Sequence, residues 1–202
     1  MPDWIEALLA LQRSGRGAVL VTVAAVEASA PRSAGTKMVV SAAEVTGTIG
    51  GGHLEFTAID IARRQLEGGA VAQVHRFPLG ASLGQCCGGV VNLLFEPVAP
   101  DAAWVGTLAG LLAERRPVVG VTPLRGSHAE KLLVTSDSVN GSLGSEARDA
   151  EAVAKARELL GGRDGARVIQ CSDAGEEEHA CFFDPSAPTD FEIVLFGAGH
   201  VG

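Results

Sequence analysis

The chain has 202 residues, of which 47% are hydrophobic, so it is long enough to bury a substantial core. Its formal net charge is -8, and its 16 Lys and Arg residues are dispersed, which argues against nucleic-acid binding. The N-terminus carries acidic residues where a secretory signal would carry basic ones, and no apolar run is long enough to span a bilayer. We therefore expect a cytoplasmic protein with neither a membrane nor a nucleic acid as partner.

The predicted elements begin with a helix whose start resembles a capping box, formed by Asp3 and Glu6, and whose end is marked by Gly15 and Gly17. Residues 18–26 follow as a continuous valine-rich run, which is typical of a strand buried on both faces. The later periodic segments predict strands over 37–41, 45–49, 71–77, 90–95, 118–122 and 131–135, and helices over 54–66, 101–114 and 146–160.

This alternation of strands and helices predicts an α/β fold. Some successive strands are joined too tightly for a crossover connection, which a parallel pair would need. We therefore expect a mixed sheet with flanking helices. No internal repeat is evident from the sequence.

The composition changes near the end of the chain. Residues 184–190 are polar and rich in proline, which is typical of a linker after a first domain over residues 1–183. Residues 191–202 then predict a strand followed by a GxGxxG turn, and the chain stops before the helix and the acidic residue that a dinucleotide site requires. We expect these residues to be the truncated start of a Rossmann-like domain. The glycines of the motif are Gly197, Gly199 and Gly202.

Residues 47–55, called the glycine loop below, contain three successive glycines between a predicted strand and a predicted helix. Glycine lets a ligand approach the bare backbone, and the first amides of a helix attract anions. His53 and Glu55 add titratable groups where the helix begins. The glycine loop is therefore a candidate binding site, and the alternative is a tight turn in which the glycines only relieve crowding.

Two further Gly-rich segments carry functional groups. Arg32 could form paired hydrogen bonds to a phosphate or carboxylate, and Lys37 could add a point charge, unless both are ordinary surface residues. Cys86 and Cys87 are adjacent, flanked by Gly-rich sequence, and do not resemble a disulfide framework. We interpret them as exposed thiols able to bind a soft metal or carry sulfur, with simple packing as the alternative.

Four of these segments, in this order, resemble the XdhC/CoxI family of xanthine dehydrogenase accessory proteins. Any one of them would be a weak signal, whereas four in order are specific. The resemblance implies an N-terminal α/β domain followed by a Rossmann-like domain. It also implies a protein that binds molybdenum cofactor, protects it while its sulfido ligand is installed, and delivers it to a molybdenum hydroxylase such as xanthine dehydrogenase. The four segments are residues 31–38, 47–55, 85–89 and 196–201.

The resemblance also implies roles for individual residues. Arg32 and the glycine loop would hold the pterin phosphate, and Cys86 or Cys87 would lie near molybdenum. A carrier needs no catalytic base, so we assign no catalytic residue and expect His53 and Glu55 to orient the loop. The cofactor-binding candidates are Arg32, Lys37, Gly50, Gly51, Gly52, His53, Glu55, Gln85, Cys86 and Cys87.

The expected partners follow from the same resemblance. They are a molybdenum hydroxylase as client, a cysteine desulfurase as sulfur donor, and a second copy of the chain in a homodimer. A nucleotide would belong to the C-terminal domain beyond this sequence.

Two other functions stay open at the level of sequence. A GxGxxG motif after a strand also occurs in NAD(P)-dependent oxidoreductases, in which the first domain would bind the substrate. Alternatively, Cys86, Cys87 and His53 could hold zinc, although adjacent cysteines lack the spacer of structural zinc ligands.

Overall fold

The computed structural model of the chain describes residues 1–68, 71–79, 88–124, 131–160, 165–171 and 179–186. These residues form four helices and ten strands. The helices are α1 (Asp3–Arg13), α2 (Gly52–Gly68), α3 (Ala103–Ala113) and α4 (Glu146–Leu160). The strands are β1 (Ala18–Glu27), β2 (Lys37–Val40), β3 (Val45–Gly47), β4 (Gln73–Pro78), β5 (Val90–Val98), β6 (Val118–Pro123), β7 (Leu132–Val134), β8 (Val139–Asn140), β9 (Arg167–Cys171) and β10 (His179–Ser186).

The strands build two five-stranded sheets, and every pairing among the described residues is antiparallel. Sheet A has the order β3-β2-β1-β5-β4, and sheet B has the order β8-β7-β6-β10-β9. The predicted α/β class is confirmed, but two antiparallel sheets stand where we expected one mixed sheet. The reason is that α2 and α4 each join the two opposite edges of a sheet, so neither makes a crossover to an adjacent parallel strand.

Strands β9 and β10 were missed by the sequence analysis. β10 includes Asp184 and Ser186, which pair with Gly120 and Val118 of β6, so the predicted linker over residues 184–190 is wrong at its start. β9 pairs with β10 only as far as Phe183, which leaves the last residues of β10 bonded on one side. Pro185 is tolerated there because it lies beyond the end of the neighbouring strand. Residues 187–202, with the GxGxxG motif, lie outside the described residues.

Helix α1 begins one residue earlier than a capping box formed by Asp3 and Glu6 would require. Pro2 is the N-cap, and no side chain caps the first amides. Both acids lie instead within the first turn, where negative charge is favourable to the helix dipole.

The two halves of the described chain share one architecture. Each half runs helix, three strands, helix, two strands, and equivalent strands occupy equivalent positions in sheets A and B. The loop between β3 and α2 therefore corresponds to the loop between β8 and α4, which begins at Gly141. The sequence analysis missed this repeat, although equivalent positions such as Gly47 and Gly141 carry the same residue.

The core has layers. On the outer face of sheet A, α2 packs through fully buried Leu54 and Ala58, and α4 packs in the same way on sheet B through Ala152. The opposite faces of the sheets meet where Leu94 contacts Phe182. Helices α1 and α3 contact each other beside this junction, against sheets A and B respectively.

Two ion pairs, one mostly buried and one fully buried, cross from one sheet to the other. Lys37 Nζ of sheet A lies 2.8 Å from Asp184 Oδ2 of sheet B. Lys131 Nζ, next to β7 of sheet B, lies 2.9 Å from Glu96 Oε2 of sheet A. Because each half supplies one lysine and one acid, the two halves are linked by reciprocal contacts.

Candidate functional site

The glycine loop connects β3 to α2 through a backbone that requires glycine. Gly47, Gly50, Gly51 and Gly52 have φ values of 84°, 124°, 77° and 67°. An L-residue with a side chain rarely adopts this left-handed region, so the run of glycines is a conformational requirement of the turn.

The carboxylate of Glu55 reaches back into this loop. Its Oε2 accepts hydrogen bonds from the Thr48 hydroxyl at 2.5 Å and from the amides of Ile49 and Gly51, both at 3.0 Å. Burial raises the pKa of Glu55, but these hydrogen bonds outweigh it, and the resulting pKa lies below the ordinary value for a glutamate. Glu55 is therefore an ionised internal cap, which agrees with the expectation that it orients the loop.

The glycine loop packs directly against the segment that carries Arg32. A Cβ atom at Gly50 would lie 2.6 Å from Cγ of Pro31 and 3.6 Å from Cγ of Arg32. Only a residue without a side chain allows this approach. Arg32 is exposed, and its guanidinium pairs with no acid among the described residues. The side chain of Arg32, which carries an exposed cation, thus begins next to the loop.

The segment that carries the cysteine pair ends against the same stretch of chain. A Cβ at Gly89 would lie 2.5 Å from the carbonyl oxygen of Glu27 and closer still to that of Ser29. The carbonyl oxygen of Gly89 also accepts a hydrogen bond from the amide of Leu79 at 2.7 Å, which closes the base of the intervening segment. Gly50 and Gly89 therefore both lie against residues 27–32.

A strained residue begins this central segment. Ala28 has a φ of 60°, an unusual value for a residue with a Cβ atom. Such conformations persist only where surrounding contacts hold them, and they are enriched at functional sites. The carbonyl oxygens of Glu27 and Ser29 on either side are those that approach Gly89.

Lys37 is placed differently from the other candidates. Its side chain is 7% exposed, its ammonium is paired with Asp184, and it also donates a hydrogen bond to the Gly35 carbonyl oxygen at 2.9 Å. The ammonium lies 5.2 Å from the ring centre of Trp4. This placement favours a structural role for Lys37, because its charge is already neutralised between the sheets.

Of the remaining candidate residues, His53 is described by the structure and the others are not. His53 is exposed in the first turn of α2 and stacks on Phe56, a residue that the sequence analysis did not single out. Gln85, Cys86 and Cys87 lie outside the described residues, so their predicted roles stay predictions. Among the described residues, no group of three or more His, Cys, Asp or Glu side chains could hold a metal ion.

The loop between β8 and α4 repeats the glycine loop in a simpler form. Gly141 and Gly144 have φ values of 92° and 97°, and Asp149 Oδ1 accepts a hydrogen bond from the Leu143 amide at 2.6 Å. The Gly144 amide donates to the Ser142 hydroxyl at 3.0 Å, as the Gly50 amide does to the Thr48 hydroxyl at 3.1 Å. Acidic capping thus belongs to the shared fold rather than to a ligand.

Comparisons with known proteins agree with the resemblance stated above. Residues 11–78 match the model of the XdhC and CoxI family, so the predicted family resemblance is confirmed over that part of the chain. This match includes the glycine loop and Arg32, and it ends before the cysteine pair. No curated protein matches the sequence significantly.

The fold is similar to a crystal structure of a protein described as a xanthine dehydrogenase from Bacillus halodurans. The TM-score is 0.66 at 20% sequence identity, and the match covers 93% of this chain. It covers 53% of the Bacillus chain, so this chain spans about half the length of that protein. At this identity the similarity establishes the fold. In the described part of this chain, no helix combines the length and the apolar character that crossing a membrane requires.

Proposed function

We propose that this chain binds molybdenum cofactor beside residues 27–32, against which Gly50 and Gly89 both lie, as an accessory protein for xanthine dehydrogenase or a related molybdenum hydroxylase. The observation that carries the proposal is the contact of both Gly50 and Gly89 with residues 27–32. The family match over residues 11–78 supplies the type of client.

The described residues fit the anionic part of this cargo. Molybdenum cofactor is a pterin that carries a phosphate and a metal dithiolene. Arg32 offers an exposed guanidinium that suits a phosphate, and its side chain begins beside Gly50, just before the start of α2, where helical amides lack internal acceptors. The Gly51 amide is already bonded to Glu55. The amides left to an anion are therefore those of the first turn of α2, which include Gly52 and His53.

The cysteine pair supplies the second part of the proposal. Thiolates are soft ligands that suit molybdenum or a transferable sulfur atom. Gly88 and Gly89 follow the pair directly, and Gly89 is fixed against Ser29. We infer that Cys86 or Cys87 lies near molybdenum. The sulfur would come from a donor such as a cysteine desulfurase.

Cofactor retention tests the proposal directly. We would purify the chain from a host that makes molybdenum cofactor, measure molybdenum by elemental mass spectrometry, and measure pterin by fluorescence after oxidation. We expect both in comparable molar amounts. If the folded protein carries neither molybdenum nor pterin, the proposal is overturned and the oxidoreductase becomes the better candidate. Dinucleotide binding to a longer form of the protein would test that alternative.

Substitution of Arg32 tests the phosphate contact. We expect Arg32→Ala to weaken cofactor affinity by about 10-fold to 100-fold, since a hydrogen bond to a charged group contributes roughly 1.5–3 kcal/mol. Arg64→Ala on α2 is the matched control, because Arg64 is exposed and, among the described residues, pairs with Asp60 in its own helix. An equal affinity of Arg32→Ala and the wild-type chain would remove Arg32 from the site.

The thiols are tested in the same assay. We expect Cys86→Ser with Cys87→Ser to lower molybdenum retention more than pterin retention, because serine keeps the size of the side chain but not the soft sulfur. Unchanged molybdenum content in the double variant would show that the thiols do not contact the metal.

A further inference from the structure

The start of α2 carries an aromatic pair that the packing of the described residues does not explain. Phe56 is 71% exposed, the most exposed large apolar side chain that the structure describes. Its ring stacks on His53, with ring centres 6.4 Å apart and planes inclined by 21°. The opposite side of the helix, through Leu54 and Ala58, makes the contacts with sheet A.

The internal repeat provides a comparison within the same chain. Gly47 corresponds to Gly141, since each follows the middle hairpin of its half and a Cβ at either position would meet the carbonyl oxygen of Lys37 or Lys131. In this register His53 corresponds to Ala147 and Phe56 to Ala150, both exposed as well.

The second half therefore builds the same turn and helix without aromatic rings. Its capping acid is kept, and the buried Ala152 and Ala156 correspond to Ala58 and Ala62. Neither the fold of the loop nor the packing of the helix requires His53 or Phe56. The aromatic pair is an addition specific to the first half, at the end of the loop that converges with Arg32.

We propose that His53 and Phe56 form a stacking platform for the flat heteroaromatic ring of the ligand whose phosphate lies at Arg32 and the start of α2. This inference rests on the proposed function, and it identifies the pterin ring as the group on the platform. Aromatic side chains bind flat heterocycles by stacking, and each such contact contributes measurable affinity. The ring and the anion would thus be held by adjacent residues of one helix start.

The test uses the 202-residue chain and two probes, neopterin monophosphate and inorganic phosphate. Binding of the pterin is followed by quenching of its fluorescence, and binding of phosphate by its competition with the pterin. We expect Phe56→Ala to lower the affinity for the pterin probe by about 5-fold to 150-fold, the range for loss of one stacking contact. Phosphate affinity should not change.

Two variants accompany this measurement. Phe56→Tyr keeps a ring and should restore pterin binding. Val139→Ala removes an exposed apolar side chain from β8 in the second half and should leave both affinities unchanged. Because Phe56 is mostly exposed, its loss should leave the midpoint of thermal unfolding nearly unaltered.

The outcomes separate this inference from the proposed function. If the wild-type chain binds neither probe and retains no molybdenum cofactor, the proposed function fails. If the wild-type chain binds the pterin and Phe56→Ala binds it equally well, the stacking platform is wrong while the proposed function stands. If Phe56→Ala keeps its affinity for the pterin but no longer associates with the client enzyme, Phe56 belongs to a protein interface. This result would also overturn the inference.

Discussion

Glu55 shows how one side chain determines the shape of the glycine loop. A carboxylate that accepts three hydrogen bonds from Thr48, Ile49 and Gly51 holds the turn in place before any ligand arrives. In the proposed function, the anion would therefore bind at the start of the helix rather than within the turn. A preorganised loop loses less conformational freedom when it binds, which favours affinity.

Neutralising this carboxylate should destabilise the protein. We expect Glu55→Gln to lower the free energy of unfolding by roughly 1–3 kcal/mol at neutral pH, the range for a hydrogen-bonded charged group. Chemical denaturation of the two proteins measures this difference in the free energy of unfolding. Glu44→Gln, at an exposed ion pair with Arg16, is the control and should change stability by less than about 0.5 kcal/mol.

The carboxylate of Glu55 also predicts how the free energy of unfolding depends on pH. The pKa of Glu55 is lower in the folded protein than in the unfolded chain, because its hydrogen bonds favour the ionised form over the effect of burial. Its contribution is therefore fully present above the unfolded pKa of about 4.3 and is lost as the pH falls through the lower folded pKa. The stability difference between wild-type and Glu55→Gln should shrink over that interval. A constant difference down to acid-denaturing pH would contradict this account.

At the scale of elements, the turn between β3 and α2 requires glycine for two different reasons. Gly50 needs both a left-handed backbone and space for Pro31, whereas a Cβ at Gly51 would have nothing within 4 Å. Gly51 therefore needs only the backbone conformation. The two positions form a matched pair for experiment.

We expect Gly51→Ala to cost about 1–2 kcal/mol in unfolding free energy, from the left-handed backbone alone. Gly50→Ala should cost roughly 1–3 kcal/mol more, because its methyl group would displace Pro31 and with it the segment of Arg32. Only Gly50→Ala should also weaken cofactor retention. Equal losses for the two variants would show that Pro31 moves freely.

For the whole molecule, the reciprocal ion pairs between the sheets are polar contacts that link its two halves. Lys131 and Glu96 are 4% and 8% exposed, and the ammonium of Lys131 also lies 4.3 Å from the ring centre of Trp104. Lys37 and Trp4 make the equivalent arrangement with Asp184. Each half thus completes a charge pair of the other half.

Removing one partner should leave a buried charge. We expect Glu96→Gln to lower the free energy of unfolding by about 3–5 kcal/mol, the range for breaking a buried pair. Asp60→Ala, which breaks the exposed pair with Arg64, is the control and should cost less than about 1 kcal/mol. If Glu96→Gln costs no more than this control, Lys131 is solvated and the pair does not join the sheets.

The sequence by itself determined the local features. Buried β1, the ends of α4 and the glycine loop were all predicted from residue patterns, because apolar runs, helical periodicity and successive glycines act over a few neighbouring residues. The resemblance to the XdhC/CoxI family also came from the sequence and is confirmed over residues 11–78.

Only the tertiary structure decided which of these features meet. The pairing of Lys37 with Asp184, the contacts of Gly50 and Gly89 with one segment, and the equivalence of the two halves join residues far apart in the chain. No local pattern encodes such contacts, since they depend on how two sheets pack. Sequence patterns therefore identified Arg32 and the glycine loop, and the packing of the sheets separated the site from the structural lysine.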